Sequence, residues 1–256
     1  MPPIDTSWNR VRSVALAIPA YNEADGIGGF LQDLDGVLDQ FCDRHWFVVV
    51  DDVSTDATVD VLAVVAGQLD GELILETNPV NRGHGPTVLA AYERALATGA
   101  DWVLQVDGDG QFEAEDLELL FRHASGGAAV VTGRRTVRFD PWYRSVVTGA
   151  LPLALRIGFG VRRRDVNCPL RLYRRDVLGD ILAEIADDSL TPHVLMTVLE
   201  ERHVERHVEV PVQHRPRRGD TDVGSTWGNA RRLVVPMKLV RFVGAAARQL
   251  VDFRRR

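Results

Sequence analysis

The segment Trp102-Val103-Leu104-Gln105-Val106-Asp107-Gly108-Asp109-Gly110-Gln111 constrains this chain more than any other, because a largely apolar run stops there on two carboxylates one glycine apart. A run of about five such residues before charge reads as a strand buried in a parallel sheet. Ligands of open α/β sheets sit beyond the carboxyl ends of such strands, which puts Asp107 and Asp109 beside a ligand. Alternate residues of an extended segment point the same way. The pair therefore suits one hard divalent cation of the Mg²⁺ or Mn²⁺ type, which keeps positions open for substrate phosphates. The competing reading is a solvated Asp-Gly turn, and the context has to decide.

That context is an alternation of strand and helix. Ser13–Ile18 reads as a first buried strand broken by Pro19, and Ala20-Tyr21-Asn22-Glu23 leads into a helix with Ile27, Phe30, Leu31, Leu34 and Leu38 at helical spacing. Trp46–Val50 is a second strand that stops on Asp51 and Asp52, and Ser54, Thr55 and Asp56 offer caps for the next helix. Leu73–Leu75 is a third strand, followed by Asn81-Arg82-Gly83-His84-Gly85-Pro86 and a helix. The two glycines there let backbone approach a ligand, and the helix start favours anions. Trp102–Val106 is the fourth strand, and Ala128–Gly133 the fifth, running into Arg134-Arg135. Such alternation predicts a mostly parallel sheet with right-handed crossovers, and one shared rim as the site.

Charge is distributed unevenly. Residues 1–100 hold 5 Lys/Arg against 15 Asp/Glu, residues 134–175 hold 11 against 2, and residues 226–256 hold 8 against 1. The basic half awaits something anionic, and the acidic half argues against a nucleic-acid backbone. Cys42 and Cys168 show neither metal-ligand spacing nor a disulfide framework, which fits a reducing compartment. Residues 1–12 lack the apolar core of a secretory signal, so the expected location is cytoplasmic, with the cytoplasmic membrane face as a further option.

Four segments together carry a family resemblance: Ile18-Pro19-Ala20-Tyr21-Asn22-Glu23, Asp51-Asp52-Val53-Ser54-Thr55-Asp56, Asn81-Arg82-Gly83-His84-Gly85 and Val106-Asp107-Gly108-Asp109-Gly110-Gln111-Phe112. In this order and spacing they resemble the inverting GT-A glycosyltransferases of family 2, most of all the dolichol- or polyprenol-phosphate mannosyl- and glucosyltransferase branch. Gly133-Arg134-Arg135, Arg144-Ser145, Asp165 through Arg171-Leu172-Tyr173-Arg174, and Val208–Val212 before His214-Arg215-Pro216-Arg217 fit the same branch.

The resemblance implies an α/β GT-A fold: a mostly parallel sheet flanked by helices, with a Rossmann-like nucleotide-binding half. It covers roughly residues 13–225; we take 1–225 as the transferase domain and 226–256 as a basic amphipathic helical segment. By the same resemblance Pro19, Ala20, Tyr21, Glu23, Asp52, Gly83, Gly85 and Gly108 line the nucleotide-sugar site. Asp107 and Asp109 hold Mg²⁺ or Mn²⁺, Gln111 lies near the donor sugar or metal, and Arg134 or Arg135 near phosphate. Arg144, Arg171, Arg215 and Arg217 are the candidates for an acceptor phosphate. Two positions depart from the branch: His84 stands where a lysine is frequent, and Thr191-Pro192-His193 where many relatives carry an acidic base. His193 is either a base or a packing histidine beside Val194, Leu195 and Val198.

The implied activity is metal-dependent transfer of a hexose, with inversion, from a nucleotide-diphosphate sugar of the GDP-mannose or UDP-glucose type to a polyprenyl phosphate. The alternatives are transfer to the hydroxyl of a soluble small-molecule acceptor, and a nucleotide-sugar-binding protein without catalysis. The apolar stretch 145–160 is interrupted by Pro152 and Arg156 and falls short of the roughly 20 residues of a span. It reads as an interfacial segment or as a core helix. The C-terminal residues from Leu233 to Phe253, interleaved with arginines, read as a membrane-surface helix, a partner contact or packing on the domain. Oligomeric state has no signature here.

Overall fold

The computed structural model describes residues 10–112, 114–136, 142–213, 215 and 237–255. Among the described residues a central sheet of seven strands, β1 (Val11–Ala20), β2 (Cys42–Asp51), β3 (Glu72–Thr77), β4 (Trp102–Gln105), β5 (Val130–Arg135), β6 (Arg171–Arg174) and β7 (His207–Val212), has the order β3-β2-β1-β4-β6-β5-β7. Only β6 runs against its neighbours, antiparallel to both β4 and β5. The other pairings are parallel, so six strands end at one rim.

Strand residues alternate between two cores. Leu16, Ile18, Phe47, Val49 and Leu104 face α1 (Ile27–Leu38), α2 (Thr58–Val65) and α4 (Ala114–Ser125). Ala15, Ala17, Val48, Val50 and Val103 face α3 (His84–Ala97), α6 (Arg175–Leu182) and α7 (Pro192–His203). The alanines of β1 are small enough for α3 to lie close across the sheet. Each fully buried leucine or valine contributes about 1.5–3 kcal/mol.

Strand β5 begins two residues later than its composition predicts and carries Arg134 and Arg135 inside it. Pairing with Pro211 and Val212 of β7 extends the strand over both arginines. A third cluster joins α5 (Trp142–Phe159), α7 and α8 (Met237–Arg255): Leu155, Val194 and Val198 are buried there, with Phe159, Leu250 and Phe253 packed against them. The outer faces of α5 and α8 stay exposed, with Leu153 at 60% and Ile157 at 77%. Among the described residues no helix is long and apolar enough to cross a membrane.

Candidate active site

The rim gathers the ends of β1, β2 and β4 by register. Ala20 pairs with Asp51 and Ala17 with Gln105, and the Asp52 amide donates to the Ala20 carbonyl at 2.9 Å. The turns after β1 and β2 are interlaced. The Asn22 amide donates to Ser54 Oγ at 2.9 Å, the Thr55 amide to Asn22 Oδ1 at 2.7 Å, and the Glu23 amide to Thr58 Oγ1 at 2.9 Å. Tyr21 emerges from this knot 37% exposed.

Asp52 is turned inward. Its carboxylate accepts the backbone amides of Arg82 and Gly83, both at 2.8 Å, and the Asn78 side-chain amide, also at 2.8 Å. Asn81 donates to the Asp52 carbonyl at 2.9 Å. The loop that opens α3 is therefore held from β2. Its two glycines have different causes. Gly83 takes φ +83° at the helix cap, with open space where a side chain would stand. Gly85 faces protein: a Cβ there would lie 2.3 Å from the Ser189 carbonyl, so close packing of α3 on residues 189–190 requires it.

After β4 the chain stays against β1. The Val106 amide donates to the Ala17 carbonyl, and a Cβ on Gly108 would sit 3.3 Å from Ile27 and 3.4 Å from the Pro19 carbonyl. Gly110 takes φ +68°, which closes the turn. Asp107 is half-buried and its Oδ1 accepts Gln105 Nε2 at 2.9 Å. Asp109 is buried and accepts the Gln111 amide at 3.2 Å. Gln111 in turn is clasped to the segment after β7: its Nε2 donates to the Arg215 carbonyl at 2.8 Å, and the Arg215 amide returns a bond to the Gln111 carbonyl at 3.1 Å. The Arg215 guanidinium rests on Asp116 at 3.2 Å.

Among the described residues no three His, Cys, Asp or Glu side chains cluster as a metal site. What the rim offers a cation is at most the open, two-carboxylate donor set of Asp107 and Asp109. That suits Mg²⁺ or Mn²⁺ completing its shell with water and a diphosphate.

Beyond β4 the rim turns basic. Arg135 forms a two-pronged ion pair with Asp165 at 2.8 and 2.9 Å, and Arg134 lies 3.5 Å from Glu209. Arg171 departs from the expectation that it meets an acceptor phosphate. It is 1% exposed, and its guanidinium donates to Glu200, Thr197, the Tyr173 hydroxyl and the carbonyls of Val166 and Cys168. Burial alone would raise the Glu200 pKa, but Arg171 and Arg163 overcome it and hold the group at about 2.

His193 is also interior, 3% exposed and edge-on to Tyr92 with ring centroids 6.3 Å apart. Burial, aided by Arg171, His84 and Arg135, pushes its pKa well below the usual imidazole range, so it stays neutral. Its Nε2 has no hydrogen-bond partner among the described residues. Arg217 lies outside the described residues, as does the side chain of Arg144, although its backbone belongs to α5.

The residues that fix the site but escaped sequence reasoning are Gln105, Asn78, Asn81, Asp116 and the pairing role of Asp165. Gln105 left a legible trace, as a polar residue inside an otherwise apolar strand. The others act through contacts 26 to 99 residues away in sequence.

Against known proteins, the model of "Glycosyl transferase family 2" matches residues 15–182. A curated relative from Pseudomonas fluorescens, an undecaprenyl-phosphate 4-deoxy-4-formamido-L-arabinose transferase, is 28% identical over 81% of this chain and 58% of its own length. The Aeromonas hydrophila protein of the same name is 26% identical over 81% of this chain and 61% of its own. The match thus spans about three fifths of these relatives. Among solved structures, glucosyl-3-phosphoglycerate synthase from Mycobacterium tuberculosis superposes with TM-score 0.64 at 16% identity, over 95% of this chain and 80% of that one. Its complex with Mn²⁺, UDP-glucose and glycerol 3-phosphate gives TM-score 0.63 at 17% identity, with the same coverage. These structures share the GT-A fold with this chain.

Proposed function

The chain belongs to glycosyl transferase family 2, and on that premise we propose that it transfers a sugar from a nucleotide-diphosphate donor to a polyprenyl phosphate, with inversion and with help from a divalent cation. The observation that carries this reading is the rim itself, where Asp107 and Asp109 follow β4 beside the end of β1, and the end of β1 pairs with the end of β2 that leads into Asp52. The curated relatives support the acceptor class, since their names specify undecaprenyl phosphate. The fold neighbour's complex with Mn²⁺ and UDP-glucose supports the cofactor and the donor class.

In this reading Tyr21 and the turn around Asn22 and Glu23 flank the nucleoside, and Asp107 with Asp109 would hold Mg²⁺ or Mn²⁺. The cation, when bound, stabilises charge on the leaving nucleoside diphosphate. An acceptor phosphate oxygen forms the new bond to the anomeric carbon as the bond to the donor's β-phosphate breaks, and the electron pair leaves with the diphosphate. Such an acceptor is already anionic at neutral pH, so the buried, neutral His193 need not remove a proton. Arg134 and Arg135 supply positive charge on the acceptor side, Arg135 fixed in direction by Asp165.

The outer faces of α5 and α8 would rest on an anionic membrane surface, bringing the rim to a lipid acceptor. Leu153 and Ile157 are exposed one turn apart beside Arg156, and Met237, Val240 and Val251 are exposed beside Arg241, Arg248, Arg254 and Arg255.

Transfer from UDP- and GDP-sugars, with Mn²⁺, to a short prenyl phosphate and to 3-phosphoglycerate as soluble control tests the reading. The expected result is product on the prenyl phosphate alone, and none from folded Asp109→Ala. Turnover by Asp109→Ala at the wild-type rate would remove the cation from the mechanism, and product on the soluble acceptor alone would replace the acceptor class.

A further inference from the structure

Gln105 is the last residue of β4 and is fully buried, although it stands in a strand whose other core positions are Val103 and Leu104. It is paired on both sides, to Ala17 of β1 and to Arg171 of β6, so its backbone is held from two directions. Its side chain makes one hydrogen bond among the described residues, from Nε2 to Asp107 Oδ1 at 2.9 Å, while Oε1 is buried without a partner. A carboxylate only accepts, so the NH₂ end must face Asp107; the reverse orientation would set oxygen against oxygen. Burying an amide whose other end goes unanswered disfavours folding relative to an apolar side chain of the same size. The bond to Asp107 is thus the gain that distinguishes this residue from a leucine.

We propose that Gln105 is a positioning residue of the cation site, holding one Asp107 oxygen so that the carboxylate keeps a single orientation and offers the other oxygen to Mg²⁺ or Mn²⁺. The inference rests on the cation reading above. Carboxylate ligands of metals are commonly oriented in this way by a second hydrogen-bonding side chain. The two acids of the loop are held by different means, Asp107 by the Gln105 side chain and Asp109 by the Gln111 main chain. Substituting Gln105 therefore removes the hydrogen bond to Asp107 and leaves the Gln111 amide bond to Asp109 in place.

The test compares wild type, Gln105→Leu, Gln105→Met and Asp109→Ala, each titrated with Mn²⁺ in the presence of UDP and, separately, GDP, with thermal midpoints recorded on metal-free protein. Gln105→Leu and Gln105→Met are expected to bind Mn²⁺ about tenfold more weakly, with midpoints equal to or above wild type. Wild-type Mn²⁺ affinity in either folded Gln105 variant, with Asp109→Ala impaired, overturns the positioning role and leaves the cation reading standing. Wild-type affinity in Asp109→Ala, or no Mn²⁺ binding by wild type, overturns both. Loss of folding in both Gln105 variants also overturns the proposal, because it assigns the residue to packing.

Discussion

Asp52 and Gly83, 31 residues apart in sequence, are joined by a 2.8 Å hydrogen bond from the Gly83 amide to the Asp52 carboxylate. The neighbouring Arg82 amide and the Asn78 side chain share the same carboxylate. Asp52→Ala should therefore lower stability by about 2 kcal/mol, since it strands part-buried donors of charge-assisted bonds. It should raise the donor KM as well, because the loop that opens α3 loses its anchor. Urea unfolding and donor titration check this together; a rise in KM without loss of stability would return Asp52 to a nucleotide-contact role alone.

Arg171 and Glu200 form an interior ion pair, 1% and 0% exposed, with Tyr173 and Arg163 attached to the same carboxylate. Removing Arg171 leaves the buried Glu200 carboxylate only partly compensated, by Arg163, so Arg171→Met is expected to cost about 3 kcal/mol. The double variant Arg171→Met/Glu200→Met should recover much of that loss in a thermal melt. A direct acceptor contact by Arg171 would show instead as an acceptor KM effect at unchanged stability.

Acid should destabilise this protein earlier than carboxylates alone would cause. His193 is held neutral by burial and by nearby positive charge, and burial with Arg163 and Arg171 brings the His207 pKa down to about 3. In the unfolded chain both imidazoles titrate near 6.5. Their contribution is complete above that pH and is lost as pH falls, because the unfolded state takes up protons that the folded state refuses. The slope is about 1.4 kcal/mol per pH unit for each histidine. Urea midpoints at pH 7.5, 6.5 and 5.5 measure it, and His207→Gln should reduce the slope by about half.

Val53 takes φ +62° between Asp52 and Ser54, a backbone region that a β-branched residue enters at a cost of about 1–2 kcal/mol. Val53→Gly should raise stability by about 1 kcal/mol and the melting midpoint by about 2–4 °C. A lower midpoint would mean that the exposed valine side chain has a packing role that outweighs the strain.

Leu153 and Ile157 on α5 are the most direct handle on the proposed membrane contact. Leu153→Ser/Ile157→Ser should weaken binding to anionic vesicles about tenfold. Circular dichroism should be unchanged, and so should transfer to a short, water-soluble prenyl phosphate. Equal flotation of the variant with such vesicles would place the contact elsewhere.

Much of this architecture was legible residue by residue. The strands through Ile18, Val50 and Leu104 announced themselves by apolar runs that end on polar turns, and α1 by Ile27, Phe30, Leu31, Leu34 and Leu38, all five of which are buried. What stayed hidden was set by long-range pairing. Strand β6 reads Arg-Leu-Tyr-Arg, too short and too charged to announce a place inside a sheet, and only its two neighbours make it one. The interior position of Arg171 escaped for the same reason: its partner Glu200 lies 29 residues on, in a helix, and no local pattern couples them. The packing requirement at Gly85 stayed hidden too, because a glycine needed against protein and one needed against a ligand look alike in sequence.

The reversed direction of β6 has a topological consequence for the basic wall. A seventh parallel strand would have to be entered from the far side of the sheet, and the chain between α5 and β6 would pass away from the rim. Because β6 is entered from the rim, residues just before it, Asp165 among them, arrive there without a crossover. The salt link between Asp165 and Arg135 thus depends on strand polarity as much as on side-chain chemistry.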